Sequence, residues 1–214
     1  MRDGSVSVVA AFDVDGTLTV RDCVRPFLET LAGRSGVAVA ALRRPAATLS
    51  GLARRDRDRL KDVIVGGVFH GRWVTEVDEA GREFAGRVEA TMLRADTVAR
   101  LRWHQDSGHR TVLVSASLRP YLEPLARSLG LDGVLCTEVA SVEGRYTDRL
   151  LGSNCRADEK WKRLSRWMAD EGLADAQLWA YGDSAGDRAM LAHAHRPTWV
   201  RGTTVSAVPS ETTS

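Results

Sequence analysis

The sequence predicts an α/β fold, a Rossmann-like parallel sheet with a helical segment inserted after the first strand. Three observations predict it. Short apolar, β-branched runs alternate with stretches of helical spacing, the pattern of parallel strands joined by crossover helices. Several of those runs end in acidic or hydroxyl residues. Between about residues 20 and 93 the apolar positions keep a helical period and no strand pattern is found.

Val6 to Phe12 is nearly all apolar, as suits a strand buried on both faces, and it ends at Asp13-Val14-Asp15-Gly16-Thr17. The inserted stretch follows. Val24, Phe27, Leu28 and Leu31 repeat as one helix face, and Gly33 and Gly36 interrupt it. A basic stretch (Arg54, Arg55, Arg57, Arg59, Lys61) leads to Gly66-Gly67 and Gly71, after which Val74, Val77, Ala80, Phe84 and Val88 form a second face.

The α/β alternation resumes at Asp96, read as the N-cap of a helix that closes at Gly108. Thr111 to Val114 is a second strand ending at Ser115. Pro120 to Leu129 is a helix closed by Gly130, and Gly133 to Cys136 a third strand. Ser141 to Leu150 reads as a hairpin turning at Glu143-Gly144. Glu159 to Met168 is a helix whose Trp161, Leu164, Trp167 and Met168 stripe reads as core. Leu178 to Tyr181 is a fourth strand ending at Gly182-Asp183, a helix carries Met190 and Leu191, and Thr198 to Val200 is a last strand. The expected division is therefore 1–19 with 94–205 as an α/β core, 20–93 as a helical domain, and 206–214 as a small, polar, disordered tail.

Composition narrows the function classes. The chain has 214 residues, 43% apolar and 27% charged, enough for a sizeable core. Thirty basic and 28 acidic side chains give a formal net charge of +2, which offers no electrostatic footprint for nucleic acid or an anionic membrane. Cys23, Cys136 and Cys155 are scattered, so neither a disulfide framework nor a zinc cluster is expected, and a cytoplasmic setting fits. No apolar run approaches the roughly 20 residues of a membrane span, and the start does not read as a signal peptide. A monomer or homodimer is expected. No G-x-x-x-x-G-K-[ST] loop occurs, and the histidines are dispersed.

The chemistry gathers at strand ends. In a parallel sheet every carboxyl end lies on one edge, where open α/β sheets bind ligands. That edge would collect Asp13, Asp15, Ser115, Asp183 and Asp187, with Lys160 from a helix start. So many carboxylates repel one another unless a cation joins them. Magnesium prefers carboxylate and water oxygens and leaves positions for a phosphate, so the expected ligand is a small phosphorylated metabolite and the expected cofactor is Mg2+. A calcium loop is excluded, since Asp13-Val14-Asp15-Gly16 lacks the D-x-[DN]-x-[DN]-G spacing and its twelfth position is Val24.

Asp13-Val14-Asp15-Gly16-Thr17-Leu18 resembles the first motif of the haloacid dehalogenase superfamily, D-x-D-G-T-[LV]. Ser115, after Val112-Leu113-Val114, resembles its second motif, Lys160 its third, and Gly182-Asp183-Ser184-Ala185-Gly186-Asp187 its fourth, G-D-x-x-x-D. All four occur in order, and the inserted helices match a C1-type cap, as in the phosphoserine-phosphatase-like branch. The resemblance implies a Mg-dependent phosphatase in which Asp13 is the nucleophile and Asp15 the acid and base. It implies that Ser115 and Lys160 bind phosphate, helped by backbone N–H groups at Gly16 and Thr17. Asp13, the Asp15 backbone carbonyl and Asp183 would hold the metal, with Asp187 an additional ligand. Asp22 stands nine residues after the nucleophile, where phosphoserine phosphatases usually carry Glu; it either meets the substrate or caps the next helix. Arg54, Arg55, Arg57, Arg59 and Lys61 are read as a solvated helix face, with an anion clamp as the alternative. A phosphotransferase or phosphomutase on the same fold, and a non-catalytic phosphate-binding module, are the competing functions.

Overall fold

A computed structural model of the chain describes residues 7–42 and 57–209. Its centre is a five-stranded parallel sheet of β1 (Val8–Phe12), β2 (Arg110–Leu118), β3 (Gly133–Thr137), β6 (Gln177–Gly182) and β7 (Arg196–Trp199). The spatial order is β3-β2-β1-β6-β7, so β1 is central and the chain winds outward to both sides of it. The predicted alternation is observed, and the fold is α/β with a parallel sheet.

Strand β1 shows why its composition suits this place. Successive side chains point to opposite faces. Val9 and Ala11 join Val112, Val114, Leu178 and Ala180 in one core, while Ala10 and Phe12 enter the other. The first core is closed by Leu164 and Met168 of α6 (Asp158–Asp170) and by Met190 and Leu191 of α7 (Arg188–Ala192). The second is closed by Leu101 of α4 (Ala95–Asp106) and by Leu122 and Leu125 of α5 (Arg119–Ser128).

The described residues of the inserted stretch hold three helices, α1 (Val24–Leu42), α2 (Arg57–Phe69) and α3 (Val74–Thr91). Helix α1 bends at Gly33, whose φ of +66° is left-handed. Phe27, Phe69 and Phe84 gather on Tyr121 and Tyr146, so the inserted helices share one apolar cluster with a face of the sheet. The predicted hairpin is β4 (Val139–Val142) and β5 (Arg145–Leu150), with Glu143 and Gly144 both at positive φ, as a tight two-residue turn requires.

Some local readings are corrected. Strand β2 runs on through Ser115 to Leu118, and Ser115 lies inside it rather than at its end. Arg94, not Asp96, is the N-cap of α4. Asp96 sits in the first turn, where its carboxylate accepts from Thr97 N and Val205 N and pairs with Arg94. Gly108 does follow α4 in the left-handed conformation. Arg54 and Arg55 lie outside the described residues, as do 210–214 of the polar tail. Before them, the carbonyls of Ser206 and Ala207 accept from Arg100 Nε. No helix among the described residues is long and apolar enough to cross a membrane.

Candidate active site

Register decides what meets what. Phe12 is paired with Leu113 on one side and Tyr181 on the other, so Asp13 leaves the sheet beside Ser115 and Asp183. The Asp13 N–H still donates to the Tyr181 carbonyl at 2.9 Å, which pins the first turn to the strand. At Gly16, φ +84°, the turn passes so close to Asp183 that a Cβ there would overlap its carboxylate.

Lys160 reaches this edge from the first turn of α6. Its ammonium is 2% exposed and donates to Asp13 Oδ1 and Asp187 Oδ1, each at 2.5 Å. Lys162, two residues on, is exposed, because that spacing turns it to the opposite side of the helix. The start of α6 is held down by Ala157, at φ +53°, whose N–H donates to the Gly186 carbonyl at 2.8 Å. Burial works against the Lys160 charge, but Asp13 and Asp187 outweigh it and raise its pKa.

One oxygen each of Asp13, Asp183 and Asp187 lie within 4.8 Å of one another. Burial pushes the Asp13 carboxyl up to about 7 against the pull of Lys160, with Asp187 and Asp15 adding to the rise. Burial, then Asp187, also raises Asp183. Three carboxylates beside one ammonium, which touches Asp13 and Asp187, form an all-oxygen donor set short of positive charge, and this fits Mg2+. Asp187 is anchored as well: its Oδ2 accepts from Ser184 N at 2.9 Å, Asp183 N at 3.2 Å and Ser184 Oγ at 3.0 Å. The run Gly182-Asp183-Ser184-Ala185-Gly186 also spells G-x-S-x-G, the pattern of a serine nucleophile. Here the Ser184 hydroxyl instead caps the 3-10 turn Ala185–Asp187, accepting from Gly186 N while donating to Asp187.

Asp15 points away from that cluster. Its Oδ1 accepts from Cys23 N at 2.8 Å, and its Oδ2 accepts from the Ser117 hydroxyl. Burial, then the nearby Asp22 charge, raises its pKa, while the Ser117 and Cys23 contacts oppose the rise. Ser117 was not singled out from sequence; its position two residues after Ser115, on the same face of a strand, was the available signal. Ser115 Oγ accepts from Ser117 N at 3.0 Å, so the two serines act together. Thr17 Oγ1 donates to Asp13 Oδ2 at 3.2 Å. Asp22 accepts from Arg25 N at 3.2 Å, the helix-capping alternative, and also borders the cleft beside Asp15. Lys61, read as part of a solvated face, instead reaches the core: its ammonium donates to the Ala116 carbonyl, and to Asn154 Oδ1 at 3.2 Å.

The model of the haloacid dehalogenase-like hydrolase family matches residues 10–192, which include every one of these side chains. The chain belongs to the haloacid dehalogenase-like hydrolases. It is 36% identical over 190 residues to protein CicA of Caulobacter vibrioides, covering 88% of this chain and 84% of that protein. A phosphoserine phosphatase of Polaromonas sp. is 30% identical over 190 residues, covering 86% and 75%. A solved protein of unknown function from Bordetella pertussis superposes with a TM-score of 0.74 at 26% identity, over 90% of this chain and 89% of that one. Within the family, the chain groups with the phosphoserine-phosphatase-like hydrolases.

Proposed function

We propose that this hydrolase is a Mg2+-dependent phosphatase that transfers a phosphoryl group from a small phosphomonoester to Asp13 and then to water. The observation that carries the reading is the buried Lys160 ammonium shared between Asp13 and Asp187, with Asp183 alongside. A carboxylate aimed at a phosphate needs its charge offset, and Lys160 supplies part of that offset at Asp13.

Asp13 attacks phosphorus, an O–P bond forms, and the bond from phosphorus to the leaving alcohol breaks. Asp15, whose pKa burial raises, donates a proton to the departing oxygen. Water then attacks the acyl phosphate, Asp15 takes its proton, the Asp13–phosphorus bond breaks and phosphate departs. Ser115, Lys160 and the backbone N–H groups at Gly16 and Thr17 bind phosphate oxygens. Bound Mg2+, held by Asp13, Asp183, Asp187 and the Asp15 carbonyl, would neutralise carboxylate charge and offset that of the phosphate. In this reading residues 20–93 form the cap that covers the site and Asp22 faces the leaving group. The setting is cytoplasmic, in keeping with three buried, free cysteines.

Purified protein with Mg2+ is expected to hydrolyse an aryl phosphate, and EDTA to abolish the activity. Asp13→Asn is expected to fold and to lose at least 10²-fold in kcat, in the manner of a removed nucleophile. A fully active Asp13→Asn enzyme would overturn the mechanism.

A further inference from the structure

A cleft of about 740 Å³ opens from Asp15 and Ala116 and runs between α1 and α2. That volume lies in the range of roughly 300–1,000 Å³ of pockets that enclose drug-sized molecules. Its walls are Val24, Leu28 and Val37 from α1 and Leu60, Ile64 and Val65 from α2. Asp15 stands at its inner end, where the alcohol released from phosphorus would take its proton.

Arg34 of α1 also lines the cleft but is exposed, and the cleft's other charged groups among the described residues are already engaged. Arg25 pairs with Glu29 at 2.9 Å, and the Arg25 side chain is 72% exposed. Asp22 accepts from Arg25 N. The Lys61 ammonium is turned to the Ala116 carbonyl and Asn154. An amino-acid leaving group would bring an ammonium and a carboxylate against valine, leucine and isoleucine walls, and buried charges without partners are costly. An aliphatic chain would instead cover those walls and displace water from them.

We infer that the leaving group of the preferred substrate is an aliphatic alcohol, so that the phosphate monoester enters with its apolar body in the α1–α2 cleft. This rests on the phosphatase reading and names its substrate class. Phosphoserine, by the same reasoning, is a poor substrate of this chain.

The test is kcat/KM for straight-chain monoalkyl phosphates from ethyl to octyl, below their aggregation concentrations, beside phosphoserine and an aryl phosphate. Each methylene that enters the cleft fully is expected to raise kcat/KM by up to about fourfold. Phosphoserine is expected to fall below the butyl ester. A flat series, or phosphoserine as the best ester, overturns the inference while EDTA-sensitive aryl phosphate hydrolysis leaves the phosphatase reading standing. If no ester is turned over, the phosphatase reading fails, and calorimetric titration with ethyl- and octylphosphonate reads the cleft directly. Equal affinities there overturn the inference, and tighter octylphosphonate binding sustains it. Ile64→Asp and, separately, Val37→Asp place a charge on the wall from either helix. Each is expected to lower the ratio of octyl to ethyl kcat/KM at least tenfold; an unchanged ratio in both folded variants overturns the assignment.

Discussion

At the scale of single residues, the two carboxylates of the Asp13-Val14-Asp15 turn live in different surroundings. Asp13 shares a buried ammonium, whereas Asp15 is held by a hydroxyl and a backbone N–H. That difference suits one to attack and the other to exchange protons. Asp15→Asn is therefore expected to lower kcat by about 10²–10⁴ on an alkyl phosphate, whose leaving group needs the proton, and by much less on an aryl phosphate. Equal losses on both esters would remove Asp15 from the acid role. Ser117 lowers the Asp15 pKa by donating to it. Ser117→Ala is then expected to move the alkaline limb of the alkyl-phosphate pH–rate profile upward, because Asp15 keeps its proton to higher pH. Gly16→Ala combines a left-handed backbone position with an overlap on Asp183. Its strain of about 1–3 kcal/mol is expected to appear as a lower melting temperature together with lost activity.

At the scale of elements, close helix contacts hold the inserted segment to the sheet domain. In α3, Gly81 lies under the Pro120 carbonyl at the start of α5, with no room for a Cβ. Gly86, on the same helix, faces open space. Gly81→Ala should destabilise the protein by about 1–3 kcal/mol through overpacking. Gly86→Ala should stabilise it by up to about 1 kcal/mol through helix propensity. Urea unfolding of the two variants checks both signs, and equal signs would contradict the packing account. Gly66 of α2 is similarly pressed on the Asp148 carbonyl of β5, so the hairpin is a second support for the helices that wall the cleft.

At the scale of the whole molecule, α4 and the chain after β7 fasten the back of the site. Arg94 bonds to Asp96 at 2.8 Å and to the Thr203 carbonyl at 3.1 Å; its bond to Asp96, with the N–H groups of Val205 and Thr97, holds the Asp96 carboxyl down to about 2. Deeper in, His104 is fully buried, with Nε2 2.8 Å from Tyr181 OH and Nδ1 2.8 Å from His109 Nδ1. Burial, then His109 and Arg100, pulls His104 down to about 3. The unfolded chain, with an ordinary histidine near 6.5, binds the proton first. The stability that His104 contributes is therefore expected to fall as pH drops below about 6.5 and to keep falling towards 3, by about 2 kcal/mol at pH 5, while the raised Asp13 carboxyl acts in the opposite sense. Thermal melts between pH 7.5 and pH 5 should show this as a difference, the wild type losing more stability on acidification, or gaining less, than His104→Phe. An equally steep profile in the variant would assign the loss to other groups.

The sequence by itself determined the parallel α/β fold, because strand and helix periods and polar strand ends are local signals. It also singled out Asp13, Ser115, Lys160, Asp183 and Asp187 as residues for one sheet edge. It left Ser117 unnoticed, and it read Lys61 as solvated and Asp96 as a cap. Those three depend on which distant group comes within reach: the Asp15 carboxylate for Ser117, the Ala116 carbonyl for Lys61, the Val205 N–H for Asp96. Only the tertiary structure decided that Lys160 is shared between Asp13 and Asp187, 147 and 27 residues away in sequence. Only it decided that Val24, Leu28 and Val37 of α1 and Leu60, Ile64 and Val65 of α2 meet in one cleft with Asp15. A helix's period marks its buried face, but what that face covers is set by packing against elements the local pattern does not contain.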